Sequence, residues 1–377
     1  MQEHYLRELQ NILRELSEQP IEQIEYSSKE VEEIKAENRL LKKQVAENDA
    51  VKNEVERLRD ENEWLEKEAE RIGRSEKRLR NEILDLKGNC RVYCRIHPES
   101  GTKMCYSDTQ VQLENKAFKM DRVFGPGATQ SEVYSEFDLF IENVMDGFSL
   151  CIFAYGQTGS GKTHTMLGNG DGLIYKSIQK IKRSLGKQEA TCIASYVEVY
   201  NEKINDLFGG KAEYRIDELD QLILRMQEAG LKRATARTGC NETSSRSHAL
   251  FVLEIEMQKE NEIVRGALCL VDLAGSERIS QSGVRDKRLK ETQCINSSLS
   301  SLGNVFAAIK RKESHVPFRD SMLTRVMQPH LSENSRVVMV VNVNGSCENE
   351  TLCTLRFATK VSECEMGVAK RSALRKC

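Results

Sequence analysis

Several things are scarce in this chain, and each scarcity excludes something. No stretch approaches the roughly 20 consecutive apolar residues that a membrane-crossing helix needs, so no segment of the 377 residues reads as a membrane span. A charge excess of one sign is missing too. The 56 Lys and Arg nearly cancel the 58 Asp and Glu, leaving a net charge of -2. Bulk charge therefore gives no reason to expect nucleic acid, and attraction to an acidic partner must come from a local basic face. The 12 cysteines include no CxxC pair, which removes the usual zinc and redox spacings. The opening MQEHYLRELQ is charged from the start, unlike a secretory leader. Reduced thiols in a cytosolic or nuclear protein are the expectation. Finally, residues 1–87 hold one glycine, Gly73, and one proline, Pro20.

What fills those first residues is Glu, Lys, Arg, Leu and Asn at helical spacing. Leu6, Leu9, Leu13 and Leu16 suggest a short amphipathic helix that Pro20 interrupts, so residues 1–30 read as an N-terminal helical segment. Residues 31–88 read as coiled coil and neck. Val51, Leu58, Leu65, Ile72, Leu79 and Leu86 fall at heptad position d, and Val55, Asn62, Ala69, Glu76 and Ile83 at a. Upstream, Val31, Ile34, Leu41 and Val45 form a seam offset by three residues, with the join near Asn48–Val51. An offset of three is a stammer, which overwinds a coiled coil locally. Such a stripe needs a partner helix. Asn62 favours a dimer in fixed register, while Ala69 and Glu76 weaken a symmetric seam, so homodimer and heterodimer both stay open. A single solvated helix, or one folded back on the rest, is the competing expectation.

From Gly88 the composition changes. Strand-like runs (RVYCRI, FKMDRVF, LCIFAY, TCIASYVEVY, ALFVLEIEM, GALCLVDLAG, RVVMVVNV) are separated by helical patterns at QSEVYSEFDLFIENVM, GLIYKSIQKIKRSL, residues 285–312 and ETLCTLRFATKVSE. Nearly continuous apolar strands alternating with helices predict an α/β fold, a mostly parallel or mixed sheet with helices on both faces. AKRSALRKC at the end reads as a basic flexible tail over 368–377.

One short string carries the chemistry. GQTGSGKT, residues 156–163, follows the buried run LCIFAY and opens a helix. This is the spacing and context of a P-loop. Gly156, Gln157, Thr158, Gly159, Ser160 and Gly161 let successive N–H groups point inward as an anion cradle. Lys162 would neutralise phosphate, and the Thr163 hydroxyl would bind Mg2+. Two more strings narrow the reading. NETSSRSH (241–248) gathers Ser244, Ser245 and Ser247 around Arg246. VDLAGSER (271–278) puts Asp272 at a strand end, followed by the small-residue turn at Gly275. Asp272 there can hold Mg2+ through water, and the Gly275 N–H can reach a γ-phosphate. Together they read as a γ-phosphate sensor that rearranges on hydrolysis.

GQTGSGKTHTM, NETSSRSH and LVDLAGSER resemble the P-loop, switch I and switch II of kinesin motors. The resemblance runs from about Leu86 to Gly367 and includes SYVEVYNEKINDL, HVPFRDSMLT and ETLCTLRFATKV. LKGNCRVYCRIHP resembles the neck and first strand of the C-terminal-motor, minus-end-directed subfamily. The resemblance implies a motor domain over 89–367 that uses ATP with Mg2+. It also implies that Ser245 joins Thr163 and Asp272 around the metal, that Ser244 closes on the γ-phosphate, and that Arg246 and Glu277 pair when the switches close. Arg95, Pro98 and His164 match the residues flanking adenine. Lys287, Arg288, Lys290, Lys310, Arg311, Lys312, Arg319 and Arg325 match the microtubule-binding face. No nucleic-acid or membrane partner is implied. The location implied is cytoplasmic and cytoskeletal, with the spindle or nucleus as further settings. A bundling protein with little motility is the alternative, and a GTPase is disfavoured because no NKxD string occurs.

Three departures reduce the charge of the matched pattern. RxRP reads RIHP, with His97 for the second arginine; Ser297 and Met322 replace family lysines; and the segment 207–233 is short. Weaker, more salt-sensitive track binding is expected.

Overall fold

Runs of Val, Ile, Leu and Phe without polar alternates can be buried only if helices cover a sheet on both sides, and that is the arrangement found. The computed structural model describes residues 14, 28–86, 90–99, 104–186, 188–235, 245–258, 262–277, 286–332, 335–345, 348–367 and 369–375. They fall into two units, 1–77 and 78–377. Most of the expected 1–30 segment lies outside the described residues.

Helix α1, Ser28–Leu86, runs unbroken for 59 residues. It contains no proline, and the stammer near Asn48–Val51 leaves it continuous, because a shift of the apolar stripe costs no backbone hydrogen bond. In the first unit the stripe is uncovered: Val51 is 62 % exposed and Leu58, Leu65 and Ile72 are all exposed. No helix of the described residues is long and apolar enough to cross a membrane.

The second unit is built on a sheet ordered β5-β1-β12-β6-β11-β10-β7-β8. In that order the strands are Arg122–Phe124, Cys90–Ile96, Ser335–Val343, Ser149–Tyr155, Glu262–Asp272, His248–Gln258, Ala190–Tyr200 and Lys203–Asp206. The pairs from β5 through β11 are parallel, and those from β11 to β8 antiparallel. Strand β9, Ala212–Arg215, also pairs with β7. A small separate sheet holds β2 (Met104–Ser107), β3 (Gln110–Leu113) and β4 (Lys116–Lys119).

Short helices α2 (Gln130–Ser135) and α4 (Lys162–Met166) accompany the strands. One core packs α3 (Asp138–Met145), α5 (Leu173–Leu185) and α6 (Leu219–Thr235) against the sheet. The other packs α7 (Asp286–Lys310), α8 (Met322–Met327) and α9 (Glu348–Ser362).

Four details differ from the sequence reading. The helix expected over 130–145 is split, because Thr129 caps α2 in a capping box with Glu132 and the fully buried Phe137 turns the chain. Helix α6, which the sequence reading did not assign, takes up the second half of the short 207–233 region, after β9, and extends to Thr235. The tail expected to be flexible contains β13, Ala373–Arg375, paired antiparallel with Glu262–Val264. The second compact unit begins at Arg78, inside the stretch read as coiled coil and neck.

That boundary has a physical cause. Leu84 is 1 % exposed inside the core. Arg80 pairs with Glu142 at 2.9 Å and Asp146 at 3.2 Å. The buried Arg336 joins Asp85 at 2.9 Å and donates to Asn143 Oδ1 at 2.8 Å. Leu79 and Ile83 on the same turns stay exposed. Leu84→Ala is expected to cost about 3 kcal/mol, by lost transfer and a cavity, whereas Leu79→Ala changes stability by no more than about 0.5 kcal/mol. Urea unfolding of the 78–377 region followed by near-ultraviolet dichroism separates the two.

Candidate nucleotide site

Parallel strands β12, β6 and β11 end side by side, and the loop after β6 rises from the carboxyl edge of the sheet, where open α/β sheets bind ligands. The loop can be this tight because of its glycines. A Cβ on Gly156 (φ 154°) would sit 2.1 Å from the Asn342 carbonyl oxygen of β12. Gly161 (φ 95°) caps α4 in the left-handed region.

Lys162, 7 % exposed, points back into the loop. Its Nζ donates to the carbonyls of Gly156 at 2.8 Å and Gln157 at 2.9 Å. Burial pulls its pKa below the ordinary lysine value, with Asp272 and Glu277 opposing that shift. The Thr163 hydroxyl donates to Asp272 Oδ2 at 2.8 Å. Arg233 NH1 meets the same oxygen at 2.9 Å. The other oxygen, Asp272 Oδ1, is buried with no partner. A hydroxyl beside an unpaired carboxylate oxygen is a hard-oxygen donor set, and it fits Mg2+ held partly through water.

The Gly275 N–H donates to the Ser245 carbonyl at 2.9 Å, and Ser276 N to the Gly156 carbonyl at 3.1 Å. The 156–163 loop, Ser245 and the turn at 275–276 thus meet. Glu277 accepts from Thr158 N at 2.9 Å and from Thr158 Oγ1 at 2.6 Å. Arg246 pairs with Glu291 at 2.7 Å. The expected Arg246–Glu277 pair is therefore absent from the described contacts, each member being held by another residue.

A cleft of about 290 Å³ is lined by His97, Thr158, Gly159, Gly161, Lys162, Thr163, His164 and Ser245. A larger groove, about 1030 Å³, lies between α7 and α9 and reaches Tyr155 and Ser276. His164 belongs to the cleft as expected, and burial followed by the Arg95 charge lowers its pKa. Arg95 and Pro98 are not among the lining residues. The Arg95 guanidinium is drawn inward, donating to Gln130 Oε1 at 2.8 Å, Thr165 Oγ1 at 3.0 Å and the Ala128 carbonyl at 3.3 Å. His97, recognised in the sequence only as a departure, takes the wall instead. Its Nδ1 accepts from Glu99 N at 3.2 Å.

Other residues escaped the sequence reading. Arg233 ties Asp272 to Glu198, whose Oε1 also accepts from Ser247 Oγ at 2.5 Å. His248 Nδ1 accepts from Ala274 N at 3.0 Å, and its Nε2 meets Ser298 Oγ at 2.8 Å. No local motif marks these side chains, because strands distant in sequence bring them together.

Ser244 and the side chains of Lys287 and Arg288 lie outside the described residues. Lys290, Lys310, Arg311, Lys312, Arg319 and Arg325 are all exposed. Lys310, Arg311 and Lys312 are paired with Glu363, Glu313 and Glu365. Lys290, Arg319 and Arg325 make no ion pair among the described residues.

Comparison with known proteins agrees with this geometry. Residues 210–364 match the kinesin motor domain family, and 68–208 match a family described as microtubule binding. The chain is 40 % identical to kinesin-like protein KIN-14N of Oryza sativa subsp. japonica over 78 % of its own length and 46 % of that protein. It is 34 % identical to carboxy-terminal kinesin 2 of Xenopus laevis over 95 % of its own length and 68 % of that protein. It spans about half the length of most of these relatives. Its fold is similar to the C-terminal motor and motor homology domain of Kar3Vik1 fused to a synthetic heterodimeric coiled coil (TM-score 0.75, 33 % identity, 87 % of this chain and 98 % of that one). It is also similar to the Saccharomyces cerevisiae Kar3 motor domain (TM-score 0.64, 36 % identity, 73 % and 99 %).

Burial first, then the Arg233 and Lys162 charges, lowers the pKa of His248 from its ordinary 6.5 to about 3. Above 6.5 this group leaves stability unchanged. As pH falls from 6.5 toward 3 the unfolded chain takes up a proton that the folded chain refuses, and stability declines. Urea midpoints measured from pH 7 to pH 4 should fall less steeply for His248→Gln than for the parent.

Proposed function

The chain belongs to the kinesin motor family, and from that premise we propose that it is a microtubule-stimulated ATPase that produces movement. The observation that carries this reading is the meeting of the Thr163 hydroxyl and the Asp272 carboxylate at 2.8 Å beneath a glycine loop with a buried lysine. A P-loop that had become a static scaffold would have no reason to keep a desolvated ammonium and a half-satisfied carboxylate together.

The roles follow from position. Loop N–H groups and the α4 N-terminus receive the β-phosphate. Lys162 exchanges two carbonyls for phosphate oxygens, a stronger, charge-assisted contact. Thr163, Ser245 and, through water, Asp272 are the residues that would hold Mg2+, which when bound neutralises charge on the β- and γ-oxygens. The Gly275 N–H reads the γ-phosphate, and Arg246 with Glu277 orients the attacking water as the switches close. Helix α7, Asp286–Lys310, follows switch II closely in the chain, so a change at Gly275 can bias the basic track face.

Tubulin's acidic surface is the partner that this face fits. With Lys310, Arg311 and Lys312 engaged by carboxylates of the same chain, Lys290, Arg319 and Arg325 supply most of the attraction. The coiled-coil seam calls for a dimer partner, identical or different. Because the neck precedes the motor, the proposed movement is toward microtubule minus ends, with few steps per encounter, in spindle or other microtubule arrays.

ATP turnover with and without microtubules tests the reading. Stimulation is expected in the parent, and Lys162→Ala should abolish it at unchanged thermal stability. Equal turnover in the two proteins would refute the assignment. In polarity-marked gliding assays, plus-end transport would refute the direction. In cosedimentation with rising salt, Arg319→Gln and Arg325→Gln should each release microtubules at lower salt than Lys310→Gln or Lys312→Gln does.

A further inference from the structure

Two side chains at the end of β1 share one face of the strand, Arg95 and His97, and only one of them lines the nucleotide cleft. Arg95 is turned inward by Gln130, Thr165 and the Ala128 carbonyl. His97, just past the strand end, is half-buried in the cleft wall. Its backbone N–H donates to the Val343 carbonyl at 2.9 Å, which fixes its place beside β12. The ring is oriented as well. Its Nδ1 accepts from the Glu99 N–H at 3.2 Å, so the proton of the neutral imidazole sits on Nε2. On the other edge of the ring, Cδ2 would stand 3.7 Å from a Cβ on Gly161. Nε2 is bonded to that carbon, so its N–H is held beside the phosphate loop.

We propose that His97 is a nucleotide-contacting residue: it donates the Nε2 proton to a phosphate oxygen of the bound nucleotide and, as a neutral donor, sets a moderate hold on ADP. This rests on the ATPase reading above and names a determinant of product affinity at the same site. Three features carry it. The cleft is short of permanent charge, because Lys162 is the one Lys or Arg among its described lining residues. His164 on the same wall adds no lasting cation. Burial first and the Arg95 charge next lower its pKa, with His97 adding to them and Asp171 opposing. Lastly, the Glu99 contact and the packing against Gly161 aim the one free donor of the ring at the loop whose N–H groups receive the phosphates. A neutral N–H gives an anion one ordinary hydrogen bond. A guanidinium in the same place would give charge-assisted bonds about twice as strong. A site that must release ADP on every cycle is served by the weaker donor.

Displacement of a fluorescent nucleotide, without microtubules and at about pH 7.5, where an ordinary histidine is largely neutral, reads this hold directly. His97→Leu removes the donor and should weaken ADP binding roughly three- to tenfold. His97→Gln, whose amide carries an N–H near the Nε2 position, should restore ADP affinity to within about twofold of the parent. His97→Arg adds a permanent charge and should tighten ADP roughly five- to tenfold, with slower ADP release in stopped flow. Adenosine, which has the base and ribose without phosphate, should bind all four proteins alike.

Unchanged ADP affinity in folded His97→Leu overturns the proposal, and so does a His97→Arg protein that holds ADP no more tightly than the parent. An equal loss of adenosine and ADP binding in His97→Leu overturns it too, because the ring then serves the base, the ribose or the fold rather than a phosphate. Should His97→Leu fail to fold, His97→Gln and His97→Arg decide the matter. A parent that binds ADP yet shows no microtubule stimulation refutes the functional reading and leaves the His97 result standing.

Discussion

A carboxylate buried at the end of a strand must be met by cations and hydroxyls or it will not stay charged. Asp272, 4 % exposed, organises the site around that demand. Arg233 comes from α6 and Thr163 from the first turn of α4, two elements far apart in sequence that meet at one oxygen of Asp272, with the buried Lys162 charge beside them. The same demand leaves Asp272 Oδ1 open. A site that was fully satisfied would have no use for a ligand. Here Asp272 is met on one oxygen and open on the other, and Gln157 Oε1 and Ser160 Oγ of the loop are open as well.

The polar contacts around Asp272 also decide which parts are stiff. His248 bridges β10, the turn after β11 and α7 through Ala274 and Ser298, and it is held neutral by burial. Glu198, Ser247 and Arg233 form a second buried set. These contacts fix the floor. Above it lies the rim, where Arg246 pairs with Glu291 and Glu277 with Thr158. A rigid floor beneath a polar rim is what a γ-phosphate sensor needs, because small shifts at the ligand are passed on by elements with two arrangements rather than absorbed.

Much of this was legible in the chain. Gly156 to Thr163 announces its loop by spacing, and Asp272 announces itself by ending an apolar run before small residues. The alternation of apolar runs with helical patterns gives a sheet covered on both faces. Arg233, Glu198, Tyr200 and Glu291 were not legible, because a polar residue in a strand or helix looks the same whether its partner is water or a side chain dozens of residues away. The contacts of Arg95 were not legible for a related reason: Gln130 and Thr165, distant in sequence, hold its guanidinium. The split at Phe137 and the strand β13 depend on tertiary packing that overrides local pattern.

The pairing of β13 with the start of β11 has a mechanical side. Asp272 lies eight residues along β11 from Val264, so the two residues are separated by roughly 27 Å. The tail is thus sewn to the sheet at the end remote from Asp272. Arg371 donates to the Asp146 carbonyl at 2.8 Å, and the Asp146 carboxylate receives Arg80. The tail and the last turns of α1 are therefore joined through one residue, Asp146, away from the Asp272 end of β11.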